Sequence, residues 1–488
     1  MSDLDAIVVG AGPNGLTAAI TLAQAGLNVR VYEAGQVAGG GAQTEELTLP
    51  GFRHDVCSTV YPLAAGSPAL RALPLADHGL HWVFPDIALA HPFADGSAAT
   101  LSRSIADTAR SLGHRDGTHY LRLLRPFRHH WSALTEDLLR PPLAGLPRHP
   151  ALLARFGLLG GQPVTALIGR FQGERARALF AGMAAHSIVP LSAPATAGTA
   201  LLFALAAHDV GWPFARGGAQ ALSDALASML RSLGGRIETG QPVHRLGALP
   251  PARVYLFDTA PGELAGIAGD HLPRGYRRAL LGYRHGPAVF KLDYALSGPV
   301  PWTAPECRRA GTVHLGPTVA DIDAALQSVR AGTAPPQPFL IIAQPTLFDP
   351  SRAPAGSHIL WAYSHVPNGW NGDPEILAAA VESRIERFAP GFRDLVLGRA
   401  VTTPATLAAR NANYVGGDIG GGRGDGLHLL FRPTLSASPY ATPNPAIYLC
   451  SAATPPGPGV HGMAGFHAAR LALRRQFPGS SARGSRAR

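Results

Sequence analysis

Ile7-Val8-Val9-Gly10-Ala11-Gly12-Pro13-Asn14-Gly15 is an apolar run that opens directly into Gly-x-Gly-x-x-Gly. Leu16 to Ala25, rich in alanine and leucine, predicts a helix, Asn28 to Tyr32 a second strand, and Glu33 follows it. Strand, glycine turn, helix, strand and acid in that register make a complete βαβ dinucleotide half-site, with the acid where ribose hydroxyls lie. Gly10 permits the tight turn, Gly12 lets the backbone approach a diphosphate, and Gly15 lets the helix pack closely on the strand. The helix start adds free N–H groups and a positive dipole end for phosphate charge. Taken alone, the half-site leaves NAD, NADP and FAD open.

Composition bounds the rest. A chain of 488 residues exceeds one ordinary core and predicts two domains. Apolar content of 46% against 15% charged describes a globular protein with much buried surface. The formal charge is +10, yet the arginines are scattered, three of them lie in the tail Arg483-Gly-Ser-Arg-Ala-Arg, and no nucleic-acid motif accompanies them. This reads as a solvated basic surface with no nucleic-acid partner. Lys291 is the one lysine. Cys57, Cys307 and Cys450 are far apart and form no CxxC, which excludes a thioredoxin-like redox pair, argues against a metal site and fits a reducing, cytoplasmic compartment. The acidic start that enters a strand at once predicts no signal peptide.

Two stretches invite a membrane reading. Phe180 to Ala207 is uncharged, but His186, Pro190 and Pro194 interrupt it, so it predicts two buried helical pieces with a loop between. Leu121, Leu123, Leu124, Phe127 and Trp131 stand among Arg122, Arg125 and Arg128. Their imperfect period favours a solvent-facing helix of a second domain over a basic lip in peripheral contact with a membrane.

Along the chain, short strands near Trp82–Phe84, Ile87–His91 and Ala99–Leu101 predict a small sheet, and residues 104–207 read mainly as helices. An α/β unit resumes at Trp212, with a helix over Leu222 to Leu233 and strands at Arg236–Glu238 and Arg253–Phe257. Val289–Tyr294, Phe339–Ala343 and Ile359–Tyr363 predict a second sheet, Glu375–Phe388 a helix, Ile447–Cys450 a strand and Ala464–Arg474 a closing helix. The division that follows is 1–75, 212–285 and 405–478 for a nucleotide domain, 76–211 and 286–404 for a substrate domain, and a disordered tail over 479–488.

The glycine fingerprint with Glu33, the pair Gly39-Gly40, Arg216-Gly217-Gly218, and the ending Tyr448-Leu-Cys-Ser451 to Pro455-Pro456-Gly457-x-Gly459-Val460-His461-Gly462-Met463-x-Gly465 form one set. Over nearly the whole chain this set resembles the phytoene-desaturase-like FAD-dependent oxidoreductases of the amine-oxidase/glutathione-reductase flavoprotein class. The resemblance implies an α/β fold: a Rossmann-like FAD-binding domain with an interleaved α+β substrate domain. It implies that Gly10, Gly12, Pro13, Asn14 and Gly15 hold the FAD diphosphate, Glu33 with Ala34 the adenosine ribose, and Gly39, Gly40, Gly41 and Ala42 the diphosphate and ribityl chain. It adds Arg216, Gly217 and Gly218 to the cofactor site and pairs the backbone of Val243, taken as lying in a strand, with adenine. Ser451 and Gly459 to Met463 pass under the isoalloxazine, where the helix start near Met463 stabilises negative charge at N1/O2.

The same resemblance assigns catalytic roles to Lys291, similar to the amine-oxidase lysine that holds a water at flavin N5, and to His461, as a proton acceptor or a cap on its turn. It implies hydride transfer from an apolar small molecule (isoprenoid-, lipid- or secondary-metabolite-like) to flavin N5. An FAD amine oxidase, a flavin-dependent saturase or isomerase, and a flavin-binding protein without turnover are the alternatives. Gly-Gly-Arg of many amine oxidases and desaturases is Gly39-Gly40-Gly41 here, so the resemblance leaves an arginine contact to the diphosphate missing or supplied elsewhere. A single dinucleotide fingerprint predicts dioxygen, a quinone or another protein as electron acceptor.

Overall fold

The first apolar run lies at the centre of a sheet. In the computed structural model, which describes residues 4–143, 145–429 and 431–478, Leu4–Val9 is the middle of five parallel strands. Val29–Tyr32 and then Arg236–Glu238 flank it on one side, Ala252–Phe257 and then Ile447–Leu449 on the other. A parallel strand covered on both faces needs apolar residues along its buried length, which Ala6–Val9 supplies, the half-buried Asp5 standing near the strand's start. Ala6 and Val8 pack under the helices Pro13–Gln24, Gln220–Ser232 and Met463–Gln476, while Ile7 and Val9 meet Leu264 and Ile267 of helix Pro261–Ala268.

A second sheet has seven strands in the order Val396–Thr402, Ala288–Leu296, His358–Val366, Leu340–Ala343, Ala310–Leu315, Ile87–Pro92 and Ala98–Ser102. All neighbours are antiparallel except Ala310–Leu315 with Ile87–Pro92. One face packs on helix Pro374–Phe388 through Leu377, Val381 and Ile385. The other lies under a helical layer that includes Glu174–Ala184 and Thr196–Asp209.

Several sequence expectations change here. The predicted small sheet is one edge of the seven-stranded sheet, because Ile87–Pro92 pairs with a strand some two hundred residues later. Trp82–Val83 leaves it and pairs with Phe214–Ala215. The uncharged run forms the helices Glu174–Ala184 and Thr196–Asp209 around a loop, as its prolines require. The arginine-flanked stretch closes helix His114–Leu124, whose Leu121 and Arg122 face solvent as expected of a helix of the second domain, while Leu123, Leu124, Phe127 and Trp131 are buried and Trp131 Nε1–H donates to the Gly66 carbonyl at 3.0 Å. Among the described residues, no helix is long and apolar enough to cross a membrane. The tail over 479–488 lies outside the described residues.

Candidate active site

Parallel pairing of Ala252–Phe257 with Leu4–Val9 sets Phe257 beside Val9, so Asp258 arrives beside Gly10. Gly10 (φ 99°) turns the chain, and a Cβ there would stand 2.7 Å from the Asp258 carbonyl. A Cβ at Gly12 would be 2.8 Å from Asp258 Oδ2, and one at Gly15 would strike the Gly10 carbonyl. Each fingerprint glycine therefore meets backbone or a carboxyl. Glu33 closes the loop from below: Oε2 accepts the Ala11 N–H at 2.7 Å and Oε1 that of Gly35 at 2.8 Å. Gly39 donates its N–H to the Ala11 carbonyl, and a Cβ at Gly40 would come within 3.1 Å of the Gly12 Cα. Pro13 and Asn14 open the helix, and Asn14 Oδ1 is buried without a partner. Ala34 is exposed beside them, and Ala42, fully buried, gives its carbonyl to Ser223 Oγ–H at 2.6 Å.

Other expected cofactor residues stand further out. The strand Arg236–Glu238 ends before Val243, which lies in coil, although Gln241 N–H still donates to the Glu33 carbonyl. The Arg216 side chain is exposed. Gly217 N–H donates to Asp349 Oδ2 at 2.6 Å, and Gly218 packs against Thr44 and Asp55. Those two side chains receive the first N–H groups of helix Gln220–Ser232: Asp55 from Ala219 at 2.8 Å, Thr44 from Gln220 at 3.1 Å. Asp55 is paired in turn with Arg352 at 3.0 Å, both buried.

The chain returns to the cradle near its end. Gly465 packs on the Asn14 carbonyl, and Gly462 (φ 66°) on Thr17, so helix Met463–Gln476 starts beside helix Pro13–Gln24. Ser451 turns the chain after its strand, its Oγ accepting the Ala453 N–H at 3.3 Å. Gly459 and Val460 lead into His461, which is buried. His461 Nδ1 accepts the Met463 N–H at 3.1 Å, which leaves Nε2 as the donor to the Gly457 carbonyl at 3.2 Å. Burial lowers its pKa to about 4. Ser67 Oγ–H donates to the His461 carbonyl at 2.6 Å.

Lys291 lies on strand Ala288–Leu296, 2% exposed, with Nζ donating to Asp293 Oδ2. Residues two apart on a strand share a face, which makes this pair. Burial holds the Asp293 carboxyl up at about 6 despite the ammonium. Burial, with the charges of Lys291 and Arg352, holds His54 near 3, so the imidazole 3.6 Å from Asp293 Oδ1 is neutral. Burial likewise raises the Cys57 and Tyr414 pKa values, and the two side chains lie together against Gly41. A Cβ at Gly41 would collide with the Tyr414 hydroxyl. Tyrosine fills the space that a side chain at 41 needs, which gives the glycine there a physical reason.

The model of the flavin containing amine oxidoreductase family matches residues 14–462. The chain belongs to that family. It is similar to the rat (Rattus norvegicus) "pyridine nucleotide-disulfide oxidoreductase domain-containing protein 2", 27% identical with 97% of this chain and 94% of that one covered. The phytoene dehydrogenase of Streptomyces griseus is 32% identical, with 74% and 73% covered. A solved oxidoreductase from Methanosarcina mazei shares the fold at a TM-score of 0.64 and 17% identity, over 96% of this chain and all of its own.

The protein is an FAD-dependent oxidoreductase with a Rossmann-like cofactor domain. Its cradle fits that cofactor: close glycine backbone, the unpartnered Asn14 Oδ1, and two helix starts side by side. The sequence reading passes over Asp258, Asp293, Cys57 and Tyr414 as site groups. Asp293 was open to discovery from the strand's period of two. Asp258 needed knowledge of which distant strand pairs with Leu4–Val9, and no local signal carries that.

Proposed function

We propose that this flavoprotein is a dehydrogenase of the desaturase type, acting on an apolar small molecule. The carrying observation is what surrounds Lys291. The face it shares with Val289, Ile341, Trp361 and Tyr363 packs against apolar helices, and its nearest carboxylates are committed: Asp293 to Lys291, and Asp55 to Arg352. A cationic amine would find no free counter-charge there, and burying it unpaired is costly. An apolar chain would be desolvated at no such cost.

When bound, FAD supplies the two-electron acceptor. The chain's own residues bind, orient and keep the site dry. Gly10, Gly12, Pro13, Asn14, Gly15, Gly39 and Gly40 form the backbone cradle for diphosphate, with Glu33 at the ribose. The start of helix Met463–Gln476, whose Met463 N–H is capped by His461 Nδ1, would supply the positive dipole end to the negative charge of a reduced flavin. His461 shapes that turn, since both ring nitrogens are engaged by backbone. Lys291, fixed by Asp293, places an ammonium beside the reacting centre, where it holds a water or dioxygen. Electrons leave to dioxygen, a quinone or a partner protein, in keeping with a single dinucleotide fingerprint. Exposed Leu143, Leu146 and Leu158, with Arg148 and Arg155 beside them, provide a peripheral contact with lipid from which an apolar substrate can enter.

Anaerobic mixing of the purified holoenzyme with isoprenoid alkenes and with aliphatic amines tests the reading. Bleaching of the flavin band by an alkene, with amines inert, supports it. Bleaching by amines alone replaces it with the amine oxidase reading, and turnover only from pre-reduced flavin replaces it with a saturase or isomerase.

A further inference from the structure

Val289, Lys291, Asp293 and Ala295 share one face of strand Ala288–Leu296. Val289 packs under the apolar helices, Ala295 packs with Phe52 and Leu49, and Lys291 and Asp293 lie between them. The charge of Lys291 reaches the Cys57 thiol, which lies against Gly41, so this end of the pair is on the cradle side. Asp293 continues toward the segment 48–55. Its Oδ2 is taken by Lys291 Nζ, and its Oδ1 is 3.6 Å from His54 Nδ1. His54 Nε2 is in turn 2.7 Å from the Thr48 hydroxyl. Thr48 is half-buried, and its neighbour Leu49 lies against Gly398 of the edge strand Val396–Thr402. Lys291, Asp293, His54 and Thr48 therefore form one file from the cradle side to the rim of the sheet.

The middle link of this file is open. His54 Nδ1 and Asp293 Oδ1 are both buried without a partner. They face each other about 0.7 Å beyond an ordinary N–H···O separation. Buried polar atoms left unbonded are costly and uncommon, and a small shift of either side chain satisfies both at once. Burial first, then the charges of Lys291 and Arg352, keeps His54 neutral. Burial, with the Asp55 carboxylate adding to it, holds the Asp293 pKa up against Lys291 and Arg352. Asp55 itself is committed to Arg352 and to the Thr44 hydroxyl. A neutral imidazole has one donor and one acceptor. With Nδ1–H toward the carboxylate and Nε2 accepting the Thr48 hydroxyl, it gives a proton from one nitrogen as it takes one on the other.

We propose that Thr48, His54 and Asp293 carry a proton from solvent to Lys291, and through it to the reacting centre, when the flavin is reoxidised. Dioxygen takes two electrons and one hydrogen from an anionic reduced flavin and needs one further proton to leave as hydrogen peroxide. Lys291 supplies it: an Nζ–H bond breaks as the O–H bond forms. Asp293 restores the ammonium with a proton received from His54 Nδ1, and Nε2 takes its replacement from the Thr48 hydroxyl, which regains one from water. The ring returns to its first tautomer before the next turnover. This rests on the reading of Lys291 as the group at the reacting centre, and adds the route by which its proton is replaced.

The test mixes photoreduced holoenzyme with oxygenated buffer in H2O and in D2O. Beside it, nitrogen-15 spectra of histidine-labelled holoenzyme read the ring protons, with His54→Gln assigning the His54 signals. Near neutral pH the wild type should carry a proton on His54 Nδ1 and none on Nε2. A direct proton donor contributes about 10²–10⁴-fold, so a carrier one step behind it, partly replaced by water, should be worth about tenfold. His54→Leu should slow reoxidation by that factor and enlarge the solvent isotope effect. His54→Gln keeps a donor and an acceptor but hands no proton across, so it should be equally slow at wild-type flavin content and melting temperature. A wild-type rate in His54→Gln, or a bare Nδ1 in the wild type, overturns the relay and leaves Lys291 in place. A wild-type rate in Lys291→Met, or a reduced enzyme that dioxygen does not reoxidise, overturns the reading of Lys291 and the relay with it.

Discussion

Asp258 Oδ2 lies inside the glycine loop: it accepts the Gly15 N–H at 2.8 Å and would stand 2.8 Å from a Cβ at Gly12. Asn413 fixes its backbone from outside, donating Nδ2–H to the Asp258 carbonyl at 3.0 Å and accepting the Ala260 N–H at 2.7 Å. An acid has thus been placed where the fold gathers donors for phosphate. Burial raises its pKa to about 7, the Gly15 N–H pulling it down and the Glu33 charge pushing it up. Protonated, it adds no charge beside a diphosphate; ionised, it repels one.

FAD affinity should therefore fall as pH rises. Above pH about 7 the apoprotein must take up a proton to receive the diphosphate, which weakens binding by up to roughly tenfold per pH unit. Flavin-fluorescence titrations of apoprotein, with proton uptake measured calorimetrically in two buffers, check this, and Asp258→Asn should flatten the profile. The sign for stability agrees. A folded-state carboxyl held above its unfolded value of 3.8 favours folding most at low pH and loses that contribution as pH climbs toward 7. A wild-type FAD affinity independent of pH across neutrality would remove Asp258 from the cradle.

Gly41→Ala should lower FAD content and melting temperature, because the new Cβ meets the Tyr414 hydroxyl. The cost of such overpacking is about 1–3 kcal/mol. Tyr414→Phe removes the oxygen, so the double variant should recover much of the loss. If the two changes add without recovery, the contact does not explain the glycine at position 41.

The cradle was legible because its determinants are local. Gly10, Gly12, Gly15 and Glu33 sit within one βαβ unit, and their spacing alone carries the geometry. The resemblance brings the closing segment Gly459 to Met463 to the cofactor, and what the structure adds is the Gly465–Asn14 contact beside it: two helices that start side by side need a residue without a side chain. The second sheet was harder. Ile87–Pro92 looks like part of a small local sheet because nothing near it announces pairing with Ala310–Leu315. The same distance hides Asp258 from the loop it enters and His314 from His186. Buried polar partners drawn from remote strands leave no periodic trace, whereas a pair on one strand, such as Lys291 and Asp293, does.

Lys291→Met should slow reoxidation of the reduced flavin by at least about tenfold, if the ammonium holds water or oxygen at the reacting centre. It also leaves Asp293 buried without its counter-ion, and breaking a buried pair costs about 3–5 kcal/mol. Lys291→Met with Asp293→Leu removes both charges and should regain most of the lost melting temperature while reoxidation stays slow. Stopped-flow mixing of reduced enzyme with oxygenated buffer, beside thermal melts, separates the two effects. Recovery of reoxidation along with stability in the double variant would reduce Lys291 to a structural residue.

Leu143, Leu146 and Leu158 are 57, 91 and 80% exposed, beside the exposed Arg148 and Arg155. Apolar tips with a basic rim suit shallow insertion into an anionic bilayer, where buried area and charge attraction add. The protein should co-sediment with phosphatidylglycerol vesicles and much less with phosphatidylcholine, and raised salt should weaken the interaction by screening the arginines. Leu146→Asp with Leu158→Asp should abolish sedimentation, since both positions lose their apolar area and gain charge of the repelled sign. Flavin content and melting temperature should hold, because exposed side chains contribute little to folding. Vesicle binding that survives both substitutions would place the lipid contact on another surface of the molecule.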